Sequence, residues 1–152
     1  MQIRSTAFAE GDTIPRRFTC DGSNQSPPLS WADSPPNTRS FALIADDPDA
    51  PRGTFTHWVI YRIPAGTTGL PAAVPTDARL ENGARQGVNT SGQLGYTGPC
   101  PPPGPAHRYQ FTVYALDAEL DLPDRPDAAA MRKAMNGHIL AQSTLRALYG
   151  RS

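Results

Sequence analysis

The stretch Arg108-Tyr109-Gln110-Phe111-Thr112-Val113-Tyr114-Ala115-Leu116 decides how the rest of the chain is read. Tyr109, Phe111, Val113 and Ala115 share one parity; Arg108, Gln110 and Thr112 share the other. That period of two is what a half-buried β-strand requires. His107 has the parity of Tyr109, so it stands at the mouth of the strand on the core-facing side. Two more β-rich runs lie upstream. Ser40 to Ala45 is a compact apolar strand. Thr54 to Ile63 carries apolar residues on both parities (Trp58 and Ile60; Val59 and Tyr61), which predicts burial on both faces, and it ends at Pro64.

Toward the N-terminus, Ile3 to Phe8 reads as a short first strand and Leu29 to Trp31 as another. Glu10-Gly11-Asp12 and Ser34-Pro35-Pro36-Asn37 supply turn chemistry between elements. The segment from Pro64 to Gly98 is too long for a connection without regular structure, so short strands are expected near Leu70 and around Ala84 to Val88. Toward the C-terminus, Asp127 to Met135 reads as a helix capped by Asp127 and stopped at Asn136-Gly137. A second helix is expected from about His138 to Tyr149, with Leu140, Thr144, Leu145 and Leu148 on one stripe. Strands come first and helices last, with no alternation of the two. That order predicts a mainly β protein, a β-sandwich or barrel with short C-terminal helices, in a single domain over residues 1–152.

Composition narrows the function classes. Seventeen prolines and 13 glycines in 152 residues indicate a loop-rich fold. Lys and Arg balance Asp and Glu at 14 each, and the basic residues are dispersed, so no field for nucleic acid is expected. No apolar run is long enough for a transmembrane segment. Met1-Gln2-Ile3-Arg4-Ser5 lacks the apolar core of an export signal, which points to a cytoplasmic protein. Cys20 and Cys100 are then expected as free thiols; the alternative, a disulfide between them, is disfavoured by the missing signal.

The chemistry concentrates in two proline-stiffened loops, each adjoining a strand that opens on a histidine. The first is Asp46-Asp47-Pro48-Asp49-Ala50-Pro51, followed by His57. The second is Gly95-Tyr96-Thr97-Gly98-Pro99-Cys100-Pro101-Pro102-Pro103-Gly104, followed by His107-Arg108-Tyr109. Two imidazoles, each with one nitrogen fixed by an aspartate, would suit one polar pocket for an anion. Gly95, Gly98 and Gly104 would let backbone N–H groups approach a ligand. The plainer readings are a half-buried structural His57, turn-forming Asp47 and Asp49, and a stiff polyproline run. His138 is expected at the surface.

These motifs, in this order and spacing, resemble the phosphatidylethanolamine-binding protein family, which includes the Raf kinase inhibitor protein and plant flowering-time regulators. The run Asn24-Gln25-Ser26-Pro27-Pro28-Leu29-Ser30-Trp31 and the segment Gly137-His138-Ile139-Leu140-Ala141 resemble its bacterial and archaeal, Raf kinase inhibitor-like branch. The resemblance implies a β-sandwich with Greek-key strands and a small anion pocket that holds phosphate-like groups. By matching positions, that pocket would consist of Asp47, Asp49, His57, Gly98, Pro99, His107 and Tyr109. It also implies a cis peptide bond in the first loop, at Ala50-Pro51.

The function that follows is a non-catalytic binding protein for small phosphorylated anions, phospholipid headgroups included, without a cofactor. One alternative is a modulator of a protein partner, a kinase or a protease. Another is a hydrolase using a metal or Cys100, which its flanking prolines disfavour. A homodimer is expected from the resemblance.

Overall fold

The computed structural model describes all 152 residues. Two antiparallel sheets face one another. The smaller has the order β1 (Gln2–Arg4), β2 (Leu29–Ala32) and β5 (Gly69–Leu70). The larger runs β6 (Arg85–Gln86), β4 (Phe55–Pro64), β3 (Ser40–Asp47), β7 (His107–Leu116) and β8 (Ile139–Tyr149). A single α-helix, α1 (Ala128–Met135), lies behind the larger sheet.

The alternation in β7 orders the main core. Tyr109, Phe111, Val113 and Ala115 are buried between the sheets, against Phe41, Leu43, Ala45, Trp58 and Ile60 of the neighbouring strands. Ile3, Leu29, Trp31 and Leu70 close that core from the smaller sheet. The opposite parity of β3 and β4 (Ala42, Ile44, Val59, Tyr61) packs against Met131 and Met135 of α1. Both faces of these central strands are therefore buried, as their mixed parity predicts. Asp127 caps α1, its carboxylate accepting from the Ala130 N–H at 2.8 Å.

The expected second helix is instead β8, paired with β7 from Tyr149 opposite His107 to Ile139 opposite Leu116. The C-terminal helices expected thus reduce to one. Ala141, Ser143, Leu145, Ala147 and Tyr149 form the inward face of β8: four join the core, and Ser143 Oγ accepts from the Ile3 N–H at 3.0 Å. Three of those five residues are small, so the alternation barely registers in hydrophobicity, while the leucines happen to repeat at helical spacing. Long-range pairing along β7 outweighs local helix preference. The first strand is also shorter than expected, ending at Arg4. No cis peptide bond is present, so Ala50-Pro51 is trans.

The cysteines are the other correction. Cys20 and Cys100 form a disulfide across 80 positions of sequence, with Cα atoms 5.4 Å apart. They meet because the loop at residues 98–100 lies on the loop at 18–24. The Cys20 N–H donates to Pro99 O at 3.1 Å, and the Gly98 N–H to Asn24 Oδ1 at 2.8 Å. A Cβ at Gly98 would stand 2.1 Å from Phe18 O, so only glycine permits this approach.

Candidate functional site

Antiparallel pairing brings the end of β3 beside the starts of β4 and β7: Asp47 lies opposite Phe55, and Asp46 opposite Gln110. Asp47, His57, His107 and Tyr109 thereby converge at one end of the larger sheet's central strands, which the loop after Gly95 covers. Between them is a cavity of about 300 Å³, lined by these four residues with Ala50, Pro51, Phe55, Ser91, Thr97, Gly98, Cys100, Pro101 and Pro102.

The two imidazoles flank one phenol. The His57 ring meets Tyr109 edge-on at 5.4 Å between centroids, and the His107 ring stacks over Tyr109 at 6.4 Å. Each histidine has one nitrogen committed to the protein. Nδ1 of His57 donates to the Thr97 carbonyl at 2.7 Å, and the Thr97 N–H donates back to the His57 carbonyl at 3.0 Å. Nδ1 of His107 donates to Asp47 Oδ2 at 2.7 Å. The buried Asp47 carboxylate also accepts the Asp49 N–H at 2.8 Å, an Asx turn that fixes the entry to the proline loop. Nε2 of each ring is left for the cavity that the rings line.

Burial pushes the His57 pKa below the ordinary histidine range, against the opposing pull of the Thr97 carbonyl and the Asp47 charge. Burial, followed by the Asp47 charge, pushes the Tyr109 phenol up, so its hydroxyl stays protonated.

Five of the seven positions expected at the site line the cavity together: Asp47, His57, Gly98, His107 and Tyr109. Asp49 and Pro99 are not among its lining residues. Asp49 is held by Arg108 through three bonds, from the backbone N–H, Nε and Nη2 at 2.9, 2.9 and 2.7 Å. These bonds bring the Asp49 pKa down to about 2, and Arg108 is not among the residues that line the cavity. Pro99 is buried, with its carbonyl on the Cys20 N–H.

The expectation of glycine N–H donors also fails. Those of Gly95, Gly98 and Gly104 donate to Gly87 O, Asn24 Oδ1 and Arg151 O. These glycines shape loops. Tyr149 lies outside the cavity, its hydroxyl donating to Asp21. His138 is surface-exposed and pairs with Asp117, as its place in the sequence suggests.

Eight lining residues were not expected at the site: Ala50, Pro51, Phe55, Ser91, Thr97, Cys100, Pro101 and Pro102; of these, Ser91 and Thr97 carry hydroxyls. Thr97 acts through its carbonyl, a group every residue has, so nothing in its side chain announces the role. Ser91 lies in a stretch without periodicity.

The fold is a mainly β sandwich with a small histidine- and aspartate-lined pocket at one end of its larger sheet. The phosphatidylethanolamine-binding protein family model matches residues 4–150, and the chain belongs to that family. Among similar proteins, a UPF0098 protein of Methanothermobacter thermautotrophicus is 51% identical over 151 residues, covering 99% of each chain. Another, from Aquifex aeolicus, is 48% identical over 153 residues, covering 99% of this chain and 89% of the relative. The crystal structure of Escherichia coli YbcL, described as a member of the mammalian family, superposes with a TM-score of 0.93 at 33% identity, covering 99% and 98% of the two chains. A homologue of the family from Chlamydia trachomatis, CT736, gives 0.90 at 36% identity, covering 99% and 97%.

Proposed function

We propose that the protein is a non-catalytic, one-domain binding protein for small phosphorylated anions, phospholipid headgroups included. The observation that carries this reading is the convergence of His57 and His107 on one cavity of about 300 Å³. Each is oriented by a protein acceptor on Nδ1. That volume is at the small end of ligand pockets and suits a headgroup without its acyl chains. Family membership supports the same reading. Catalysis by Cys100 is disfavoured because its sulfur is bonded to Cys20. The same bond favours an oxidising compartment over the cytoplasmic location expected from the N-terminus.

Titration of the ¹⁵N-labelled protein with phosphoethanolamine tests the reading. Saturable shifts at His57, Thr97 and His107 are expected, with at least about tenfold weaker binding in the His57→Ala, His107→Ala double variant. Equal affinity in that variant would overturn it.

A further inference from the structure

The cavity is unusual for an anion site because neither lysine nor arginine lines it, whereas a carboxylate does. Arg108, next in sequence to His107, is bound by Asp49. Apart from the histidines, the lining side chains able to donate a hydrogen bond are Ser91, Thr97 and Tyr109. The histidines themselves face the ligand in a fixed sense. A carbonyl can only accept, so the Thr97 carbonyl holds a proton on Nδ1 of His57. In the neutral ring Nε2 then carries a lone pair. The Asp47 carboxylate imposes the same tautomer on His107. The Thr97 carbonyl keeps a proton on Nδ1 of His57, and burial outweighs the pull of that carbonyl and of the Asp47 charge toward a second one. The His57 ring packs at a tilt against Phe55 and edge-on against Tyr109 of β7, and it shares the cavity with Thr97 from the covering loop, Asp47 from β3 and His107 from β7. None of these residues brings a permanent positive charge.

Building on the function proposed above, we propose that this cavity selects oxyanions that still carry a proton, phosphate monoesters above all, over sulfate esters of the same shape. A phosphate monoester with one acidic proton offers a hydroxyl to a histidine Nε2 lone pair and acceptor oxygens to the Ser91 and Thr97 hydroxyls, the Tyr109 hydroxyl being directed at the Asp47 carboxylate. A sulfate ester offers acceptors only, so its oxygens would face the lone pair directly. It binds well only once a proton is placed on His57, which burial opposes. Affinity for the phosphate ester therefore falls as pH rises through its second ionisation, at about pH 6.

Calorimetry with phosphoethanolamine and its sulfate-ester counterpart, at constant ionic strength from about pH 5.5 to 8, decides the matter. The phosphate ester is expected to bind at least about tenfold tighter near pH 6 and to weaken by about tenfold toward pH 8. His57→Gln replaces the lone pair by an amide donor, and the preference is expected to shrink to within about threefold. Where that variant does not fold, the two esters on the unaltered protein still decide. Equal affinity for the two esters, or phosphate affinity that rises with pH, overturns the selectivity and leaves the proposed function standing. Binding of neither ester at any pH overturns both.

Discussion

The antiparallel pair of β7 and β8 carries a histidine–aspartate pair at each end. At one end His107 Nδ1 meets Asp47 at 2.7 Å; at the other His138 Nδ1 meets Asp117 at 2.8 Å. By contact geometry the two are nearly the same. By surroundings they differ: the side chains of the first pair are 13% and 4% exposed, those of the second 47% and 42%. At the buried end the carboxylate also holds a backbone N–H, a second histidine lines the same cavity, and a disulfide-bonded loop closes it. At the open end the pair links the residue after β7 to the residue before β8. A histidine–carboxylate contact thus becomes part of a site only where water is displaced and the remaining ring nitrogen faces a shared space.

The largest break in this contrast comes from the disulfide, which belongs to the buried end alone. Replacing Cys20 and Cys100 by serine is expected to lower stability by about 4 kcal/mol, because the bond closes a loop across 80 positions. Urea unfolding measures it; a midpoint unchanged from the parent would show that the loop contacts suffice alone. Next comes the direct comparison of the two pairs. Asp47→Ala leaves His107 and the Asp49 N–H without their acceptor at a mostly buried position and is expected to lower stability by about 2–3 kcal/mol. Asp117→Ala, in water, should lower it by less than about 0.5 kcal/mol. Equal losses would mean that burial does not separate the two pairs.

The smallest effect is the pH dependence of His57. Its folded pKa lies below its unfolded value, so below about pH 6.5 the unfolded chain takes up the proton more readily. The stability this group contributes is therefore complete above that pH and is lost as the pH falls. Thermal melts between about pH 7 and 5 should decline more steeply in the parent than in His57→Gln. A steeper decline in the variant would reverse the sign.

What could be read from the chain followed its alternation. β7 announces itself because large apolar and polar residues take turns, and β3 and β4 because apolar residues fill both parities. The cap at Asp127 is local chemistry and was equally legible. β8 was not, since Ala141, Ser143 and Ala147 hide its inward face. At the site, Asp47, His57, His107 and Tyr109 were readable as residue types in motifs. Thr97 was not, because it works through its backbone. That Asp49 turns to Arg108 rather than lining the cavity was not readable either, because its three bonds depend on where β7 begins beside the proline loop.

Sequence alone therefore determined the sheet class, the family and four polar side chains of the cavity, Asp47, His57, His107 and Tyr109, because these follow from periodicity and from motifs that are contiguous in the chain. Only the tertiary structure decided that Cys20 bonds Cys100, that β8 is a strand, and which proton each histidine holds. Those outcomes depend on groups that lie far apart in the chain and meet only when the sheets close, where a neighbour's carbonyl or carboxylate, and the loss of water around it, set the result.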